Sequence, residues 1–398
     1  MKTIGFSLLV AIQLCATALA SPPVGYYLSA EGQTGAALES VLHDIIDGHT
    51  VISYSKTDEV MGVIDEDPNN TNNVGLIYST FSMAKTGIGS SGSAVWNREH
   101  LWPRSYGLST SGADNSDLHN LYPCNASVNS SRGNKYFDES DSTGSSNSIS
   151  PENTYDSDSW EPSDEDKGKI ARAAFYMAVR YDGSDANTLD VSISDSPNAA
   201  EQRMGKLTTL LAWNREFPPT LAEKARSNAI YTGVQTTDGF RGQGNRNPFV
   251  DYPQLADAIF LGSNVETLGK WQVRSFPIGE LDDLTLTGPL ADPDGDSIPN
   301  ILEFLGNSLP DSDTSKPLAT VTFNGGTALL RYRRAKGLEL SGYDANWETS
   351  SDLKIWDPVL TTTITEADEG LTTVETLSIP QVVGKEFFRL RVFKIEND

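Results

Sequence analysis

The sequence predicts an α+β protein with a mainly helical first part and a small all-β second part. Apolar residues recur at helical spacing in several stretches before Gly262, with short strand-like runs between them. Beyond Gly262 the pattern changes to short β-like runs separated by turn residues. Because the two parts have such different patterns, we expect them to form separate domains.

The first 20 residues have the layout of a secretory signal peptide. A basic residue precedes an apolar run from Ile4 to Leu19, and small residues close the run. We therefore expect cleavage after Ala20 and a secreted protein, extracellular or periplasmic; a buried N-terminal helix is the alternative. No later segment reaches the about 20 apolar residues that a membrane span needs. Of the two cysteines, only Cys124 lies outside residues 1–20, so the fold cannot depend on an intrachain disulfide.

The predicted elements of the first part follow from apolar periodicity and turn residues. Before residue 95 they are the helix Ala36–Ile46, the strand Val51–Tyr54, the polar turn Asn69–Asn73, the buried strand Val74–Tyr78 and the flexible segment Gly87–Gly92. After residue 168 they are the helices Lys169–Tyr181, Lys206–Asn214 and Thr220–Tyr231, then the polar loop Gly242–Pro253.

Acidic side chains are unevenly distributed between two neighbouring stretches, residues 96–135 and 138–166. The formal net charge is −24, which alone argues against a polyanionic partner. Residues 96–135 hold four basic and three acidic side chains, whereas residues 138–166 hold ten acidic ones and no Lys or Arg. The second stretch is also rich in Ser and Asp and predicts an acidic loop. The first stretch remains compatible with a nucleic-acid partner.

Two short segments contain the side chains that hydrolysis of a phosphodiester bond requires. They are Trp96–Pro103 and the stretch from Asp117 to Asn134. Such a reaction needs a general base for water, a hard cation held by oxygen ligands, and cationic side chains that position the backbone. Histidine, carboxylate, amide and arginine side chains all occur in these segments.

These segments, together with Gly244–Asp251, resemble the bacterial endonuclease I family of periplasmic and extracellular nucleases. Four motifs carry the resemblance in order: Asn-Arg-Glu-His, Asp-Leu-His-Asn-Leu, Asn-Ser-Ser-Arg-Gly-Asn and Gln-Gly-Asn-Arg-Asn-Pro-Phe. Each motif alone is weak, and the ordered combination is specific. The resemblance covers roughly Gly25–Gly262. It implies a ββα-metal (His-Me finger) motif set among helices, in a catalytic domain of residues 21–262 that includes the acidic loop 138–166.

The resemblance also implies roles for the matching residues. His100 is expected to be the general base for the attacking water, and Glu99 and Asn129 are expected to ligate the catalytic metal. Mg²⁺ is the expected ion, with Mn²⁺ or Ca²⁺ as alternatives. Arg132 is expected to be catalytic through a phosphate contact. The expected nucleic-acid-binding residues are Arg98, Arg132, His119 and Asn134.

The expected activity is sequence-nonspecific endonucleolytic hydrolysis of DNA, with RNA as a further substrate. The attack on phosphorus would leave 5′-phosphate and 3′-hydroxyl ends. Binding through the nucleic-acid backbone makes such an enzyme unselective for sequence and sensitive to salt. We expect a monomer.

A calcium-loop spacing occurs in the Asp-rich segment 291–314. The candidate ligands are Asp292, Asp294, Asp296, the backbone carbonyl of Ile298, Asn300 and Glu303. The sequence departs from the pattern at the sixth loop position, where Ser297 replaces the usual glycine. The segment resembles the calcium loops of thrombospondin type 3 and dockerin-like repeats, which implies a structural Ca²⁺. A solvated acidic linker is the alternative.

The rest of the second part predicts a linker, residues 263–290, and a β-sandwich-like tail, residues 315–398. The β-like runs of the tail are 320–323, 328–332 and 387–393. The tail resembles C-terminal modules of secreted bacterial proteins, which implies either attachment to a cell surface or matrix or a role in sorting.

Two other functions are compatible with parts of the sequence. One is a secreted, calcium-dependent adhesive or matrix protein whose nuclease-like domain is inactive. The other is a zinc hydrolase that uses His100, His119 and Cys124, which are chemically suitable ligands without a supporting spacing.

Overall fold

The computed structural model describes residues 21–141, 143–311, 318–324, 327–359, 364–379 and 386–395. The predicted signal peptide, residues 1–20, lies outside the described residues. The chain divides into two compact units. The N-terminal unit comprises the residues up to Ala30 and Ala36–Ala256, and the C-terminal unit comprises Glu31–Gly35 and Asp257–Asp398. Both contain helices and strands, and the C-terminal unit is rich in strands, so the α+β class is confirmed. Within the described ranges no helix combines the length and apolar content that crossing a membrane requires.

The predicted helices of the first part are confirmed. The helices up to residue 260 are α1 (Gly35–Ile46), α2 (Thr57–Ile64), α3 (Ala126–Arg132), α4 (Asp164–Arg180), α5 (Leu207–Glu216), α6 (Leu221–Thr232), α7 (Pro248–Asp251) and α8 (Gln254–Phe260). Helix α4 begins five residues before the predicted Lys169. Three acidic side chains form its first turn, where the helix dipole favours negative charge.

Helix α4 is the central element of the N-terminal unit and is buried along most of its length. Arg172 and Arg180 lie inside the core, and each has its charge compensated. The guanidinium of Arg172 donates to both carboxylate oxygens of Glu223, at 2.7 and 2.6 Å. Arg180 pairs with Asp47 and Asp185 at 2.9 and 2.7 Å. Such pairing is what allows charged groups to be buried.

The strands of the N-terminal unit are short. They are β1 (Glu66–Asp67), β2 (Asn70–Gly75), β3 (Ser82–Ala84), β4 (Trp96–His100), β5 (Leu121–Asn125), β6 (Tyr136–Phe137), β7 (Ser145–Ser146), β8 (Thr154–Tyr155), β9 (Ser159–Glu161), β10 (Ser192–Ile193), β11 (Arg203–Met204), β12 (Val234–Thr236) and β13 (Gly239–Arg241). They form the sheets β1-β2-β3 and β6-β9-β8-β7 and the pairs β4-β5, β10-β11 and β12-β13. The antiparallel pair β4-β5 carries the predicted site residues and leads directly into α3.

Several predictions about extended and irregular segments are wrong. Val51–Tyr54 is not a strand, and Tyr54–Lys56 forms a 3₁₀ helix. The predicted turn Asn69–Asn73 lies mostly within β2, and that strand ends at Gly75 instead of continuing to Tyr78. The acidic stretch 138–166 is not a loop throughout, because β7, β8 and β9 lie within it and Trp160 of β9 is fully buried.

The C-terminal unit combines three helices with two antiparallel sheets. The helices are α9 (Leu268–Ser275), α10 (Leu284–Thr287) and α11 (Asn300–Gly306). The strands are β14 (Ala319–Asn324), β15 (Thr327–Ala335), β16 (Tyr343–Ser350), β17 (Asp357–Pro358), β18 (Ile364–Asp368), β19 (Thr372–Ile379) and β20 (Phe387–Lys394). Their orders are β14-β15-β19-β18 and β17-β16-β20. Tyr332 of one sheet meets Trp347 of the other edge to face at 6.4 Å, so both sheets contribute to one core.

The segment 263–290, expected to be a linker, contributes to this core. Leu268 and Trp271 of α9 are buried in the same cluster as Ile301, Phe304 and Leu305 of α11. Helix α11 in turn follows the Asp-rich loop directly. The position of that loop is therefore fixed by the packing of the C-terminal unit.

Candidate active site

The strand β5 passes into helix α3 without a connecting loop. The side-chain oxygen of Asn125 accepts hydrogen bonds from the backbone nitrogens of Ser127 and Val128, at 3.0 and 3.3 Å, and so caps the helix. In the β4-β5 pair, Glu99 lies opposite Tyr122 and His100 lies opposite Leu121. The candidate residues on β4 therefore lie on a strand whose partner leads straight into α3.

Asn129 joins α3 to β4 one turn into the helix. Its amide nitrogen donates to the side-chain oxygen of Asn97 at 2.9 Å and to the backbone oxygen of Arg98 at 3.3 Å. These contacts hold the Asn129 amide against the two residues that precede Glu99 in β4. Because the nitrogen faces both acceptors, the amide oxygen points away from them. An amide oxygen in this position can serve as a ligand of a hard cation.

His100 is held in one tautomer by its surroundings. Its Nε2 lies 3.0 Å from the backbone oxygen of Asn115. Because a carbonyl oxygen can only accept, Nε2 carries the proton and Nδ1 has the free lone pair. Burial lowers the pKa of His100 to about 4, with the charges of Arg104, Arg98 and Arg132 acting in the same direction and the bond to Asn115 opposing them. The ring is thus neutral at pH 7, as a general base must be.

Glu99 points to the other side of the strand, into the protein. Its carboxylate is buried; Oε1 accepts a hydrogen bond from the Tyr78 hydroxyl at 3.1 Å and lies 3.2 Å from Nη1 of Arg132. Burial raises the pKa of Glu99 to about 7, although Arg132, Tyr78 and the backbone of His100 act against it. Glu99 and His100 therefore face different surroundings, as the alternation along an extended strand predicts.

Arg132 is a buried residue that joins three parts of the site. Besides its contact with Glu99, it donates to the backbone oxygens of His100 and Leu101, at 3.1 and 2.6 Å. Its guanidinium also lies over the ring of Phe137, 4.6 Å from the centroid. Only 1% of the Arg132 side chain is exposed, so this geometry does not support the expected phosphate contact.

The residues present fit a hard divalent cation. Glu99 offers a buried carboxylate, and Asn129 offers an amide oxygen whose nitrogen is already bonded to β4. Both are oxygen ligands of the kind that Mg²⁺ prefers.

A cationic cluster around Tyr54 borders His100. The ring of Tyr54 is nearly parallel to that of His100, with 5.8 Å between centroids. The guanidinium groups of Arg98 and Arg104 lie 4.0 and 4.9 Å from the Tyr54 centroid. Arg98 also donates to the backbone oxygen of Tyr54 at 2.6 Å, whereas Arg104 is exposed. Sequence analysis did not select Tyr54, Arg104 or Asn115; only the position of Arg104 just after the first motif could have suggested it.

The other two residues expected to bind nucleic acid differ in exposure. His119 is buried; its Nε2 lies 3.3 Å from the backbone oxygen of Asn245, and its ring packs against Tyr176 at 4.5 Å. This environment does not support a substrate contact by His119. Asn134, two residues beyond α3, is exposed.

The motif Gly244–Asp251 stabilises the fold around the site. Arg246 is fully buried and donates twice to Asp251, at 2.7 Å each. Asn247 caps α7 by accepting from the nitrogen of Phe249 at 2.9 Å. The motif therefore acts here as a structural turn.

The zinc alternative is wrong for the part of the chain that the structure describes. His100, His119 and Cys124 do not bring their ligand atoms together. The group of His, Cys, Asp or Glu side chains that does so is Asp292, Asp294 and Asp296, in the C-terminal unit.

Comparison with known proteins agrees with the motifs in the N-terminal unit. The sequence model of the Endonuclease I family matches residues 34–254, which is more than half of the chain. An extracellular ribonuclease of Bacillus amyloliquefaciens is 46% identical over 237 residues, covering 59% of this chain and 78% of the relative. An extracellular ribonuclease of Bacillus subtilis strain 168 is 43% identical over a region of the same length and coverage. This chain therefore belongs to the endonuclease I family of nucleases, enzymes that hydrolyse phosphodiester bonds.

Proposed function

We propose that this protein is a secreted, metal-dependent, sequence-nonspecific endonuclease that hydrolyses both RNA and DNA, with His100 as the general base. The observation that carries the proposal is the Nε2 contact of His100 with the Asn115 carbonyl, which leaves Nδ1 free to accept a proton. The antiparallel pairing of β4 with β5 and the direct passage of β5 into α3 support the assignment of these elements as a ββα-metal motif. Residues 21–262 would form the catalytic domain.

In the proposed mechanism, Nδ1 of His100 takes a proton from water as the water oxygen attacks phosphorus. The contact with Asn115 holds the ring in place and stabilises the imidazolium that forms. A phosphate bound beside the ring raises the pKa of His100, because a nearby negative charge favours the protonated form. The bond to the 3′ oxygen then breaks, and this oxygen takes a proton from solvent water, which leaves a 3′-hydroxyl and a 5′-phosphate.

Glu99 and the amide oxygen of Asn129 would hold the catalytic ion, for which Mg²⁺ is the first candidate. When bound, such an ion neutralises charge on the phosphate and on the leaving oxygen. Arg132 acts as a positioning residue, since it contacts Glu99 and the backbone of His100 at the same time. Tyr78 assists by donating to Glu99.

The phosphate contacts are assigned to Arg104 and, behind it, Arg98. Arg104 is the exposed member of the cluster around Tyr54, and its positive charge acts on His100. Asn134 remains a candidate contact because it is exposed just after α3. Contacts of this kind read the nucleic-acid backbone and carry no direct sequence information.

Two observations bear on the substrate and the destination. Both relatives are named extracellular ribonucleases, which supports RNA as a substrate and secretion as the destination. Attack by water does not require a 2′-hydroxyl, so the same residues would also act on DNA.

The test uses the mature chain, Ser21 to Asp398, with single-stranded RNA and supercoiled plasmid in parallel. We expect both to be cleaved with Mg²⁺ and neither with EDTA, and we expect labelled 5′-phosphate ends. H100A should reduce the rate about 10²- to 10⁴-fold on both substrates. The matched control is H43A, because His43 instead contacts the backbone oxygen of Val179 at 3.0 Å. Cleavage by H100A at the rate of H43A would refute the assignment, and 2′,3′-cyclic products from RNA would refute the attack by water.

A further inference from the structure

Three aspartates converge in the loop that precedes α11. Asp292, Asp294 and Asp296 each offer a carboxylate oxygen, and these oxygens all lie within 4.8 Å of one another. Like charges this close repel one another unless a cation lies between them. Exposed acidic clusters also occur without an ion, so the aspartates alone are insufficient.

Glu303 provides the independent observation. Its side chain is 1% exposed, and among the described residues neither carboxylate oxygen has a hydrogen-bond partner. The nearby charges that act on it are those of the three aspartates and of Asp311, so its carboxylate lies close to the cluster. A buried carboxylate without a hydrogen bond or a counter-ion is strongly unfavourable. A cation among the four carboxylates would remove this cost.

Asn300 adds a third buried oxygen that has no partner within the described ranges. Its amide nitrogen donates to the backbone oxygens of Leu286 and Gly288, at 2.8 and 2.9 Å, while its Oδ1 is buried without a partner. The nitrogen thus anchors the side chain and leaves the oxygen available. The ninth position of a calcium loop commonly binds the ion through water, a role this oxygen can fill.

The backbone of the loop has the conformation that ligation requires. Asp292 accepts from the nitrogens of Gly295 and Ser297, at 2.9 and 3.0 Å, which turns the chain around its carboxylate. Ser297 has φ +74°, the left-handed conformation usually reserved for the glycine of the sixth position. The turn is therefore retained despite the departure in sequence.

We propose that Asp292, Asp294, Asp296, the Ile298 carbonyl, Asn300 and Glu303 form a structural Ca²⁺ site in the C-terminal unit. Four carboxylates with further oxygens suit Ca²⁺, which takes six to eight oxygen ligands, better than Mg²⁺, which keeps several waters. Glu303 lies on α11, whose Phe304 and Leu305 are buried in the core of this unit. The ion would hold the loop and the helix together, so its loss should destabilise the unit.

The experiment measures Ca²⁺ binding by the ion-stripped mature chain, using isothermal titration calorimetry with CaCl₂ and thermal unfolding. We expect a dissociation constant on the order of 10⁻⁶ to 10⁻⁴ M and a melting temperature that rises with Ca²⁺. E303Q should weaken binding at least about tenfold, because it removes the ligand at the twelfth position. The control E280Q removes the same charge from an exposed site of the same unit and should bind normally.

Two further measurements make the outcome decisive. S297G keeps the ligands and relieves the left-handed serine, so it should bind Ca²⁺ at least as tightly as the wild type. E303Q should cleave RNA with Mg²⁺ at the wild-type rate, which separates this site from the nuclease assignment. Absence of Ca²⁺ binding by folded wild type, equal binding by E303Q and E280Q, or loss of binding in S297G would overturn the proposal.

Discussion

Glu99 and Glu303 are both buried, and burial raises the pKa of each carboxyl to about 7, yet their neighbours differ. Glu99 receives a hydrogen bond from Tyr78 and lies 3.2 Å from the Arg132 guanidinium. Glu303 has no hydrogen-bond partner among the described residues, and the nearby charges that act on it are those of aspartates. At the first site an arginine supplies a countercharge, and at the second site no described residue does so.

For the two proposed ions, this difference implies two distinct uses. A carboxylate already held by Arg132 and Tyr78 keeps its position whether or not an ion is bound, which suits an ion that enters with substrate. A carboxylate with no partner needs the ion for the local fold itself, as structural metal sites do. The proposed Mg²⁺ at Glu99 would then be catalytic, and the proposed Ca²⁺ at Glu303 would be structural.

Removing the charge of Arg132 should leave Glu99 dependent on a metal ion, as we propose for Glu303. R132M leaves Glu99 without its cation, and breaking a buried ion pair in this way costs about 3–5 kcal/mol. We expect the free energy of unfolding of the N-terminal unit to fall by about that amount in EDTA, and Mg²⁺ to restore more of it than in the wild type. Chemical denaturation with and without Mg²⁺ measures both effects.

The double variant E99Q/R132M is the control for this prediction. It removes both charges, so it should recover much of the stability but none of the activity. An R132M protein as stable as the wild type in EDTA would show that Arg132 does not supply the countercharge.

Asp117 is a third buried acid, and its neighbours stabilise its charged form more strongly than those of Glu99 or Glu303 do. Burial alone would raise its pKa, but His49, His119 and hydrogen bonds from Tyr181 and Gln243 outweigh this and lower the pKa to about 2. A carboxyl whose pKa is lower in the folded than in the unfolded state stabilises the fold at pH values above its unfolded pKa. This stabilisation is lost as the pH falls towards the folded pKa. We expect a loss on the order of 2 kcal/mol between about pH 4 and pH 2.

Denaturation of wild type and D117N across this pH range tests the prediction. D117N should be less stable at pH 6 and should lack the steep loss below pH 4. Above pH 4 a separate loss is expected in both proteins, because His49 and His119 have lowered pKa values and resist protonation in the fold. The same slope below pH 4 in both proteins would contradict the role given to Asp117.

Arg104 should affect binding more than chemistry. It is exposed, so R104Q is expected to lower kcat/KM only about 5- to 10-fold, through a higher KM, and to reduce the slope of activity against log salt concentration by about one. Initial rates on RNA at several NaCl concentrations measure this. R331Q, which removes an exposed arginine of the C-terminal unit, is the matched control. An unchanged salt slope in R104Q would remove Arg104 from the phosphate contacts.

The features that the sequence predicts well depend on short spacings. The helix Ala36–Ile46 follows from apolar periodicity, and the convergence of Asp292, Asp294 and Asp296 follows from a spacing of two residues. The pairing of Glu99 with Arg132 and the contact of Tyr54 with His100 join residues 33 and 46 positions apart, and no local pattern encodes them. For this reason Arg132 was expected to contact phosphate, although its charge is used inside the protein.

Local composition also gave wrong predictions for two segments whose conformation depends on tertiary packing. Val51 and Ile52 favour strands, yet the chain there enters a 3₁₀ helix that places Tyr54 beside His100. The acidic stretch 138–166 resembles a loop in composition, yet it contains the buried Trp160, which packs against Tyr78. The low-complexity composition of the stretch gave no sign that Trp160 would be buried.

The most direct test of the assignment of catalysis to Glu99 is a side-by-side comparison of E99Q and E303Q. It measures the cleavage of RNA with Mg²⁺ by each variant. The two variants make the same change, a buried glutamate to its uncharged isostere, at the two sites. We predict that E99Q loses at least about 100-fold in rate, because it removes a ligand of the catalytic ion, and that E303Q retains the wild-type rate. Wild-type cleavage by E99Q, or an equal loss in both variants, would contradict the separation of a catalytic from a structural metal site.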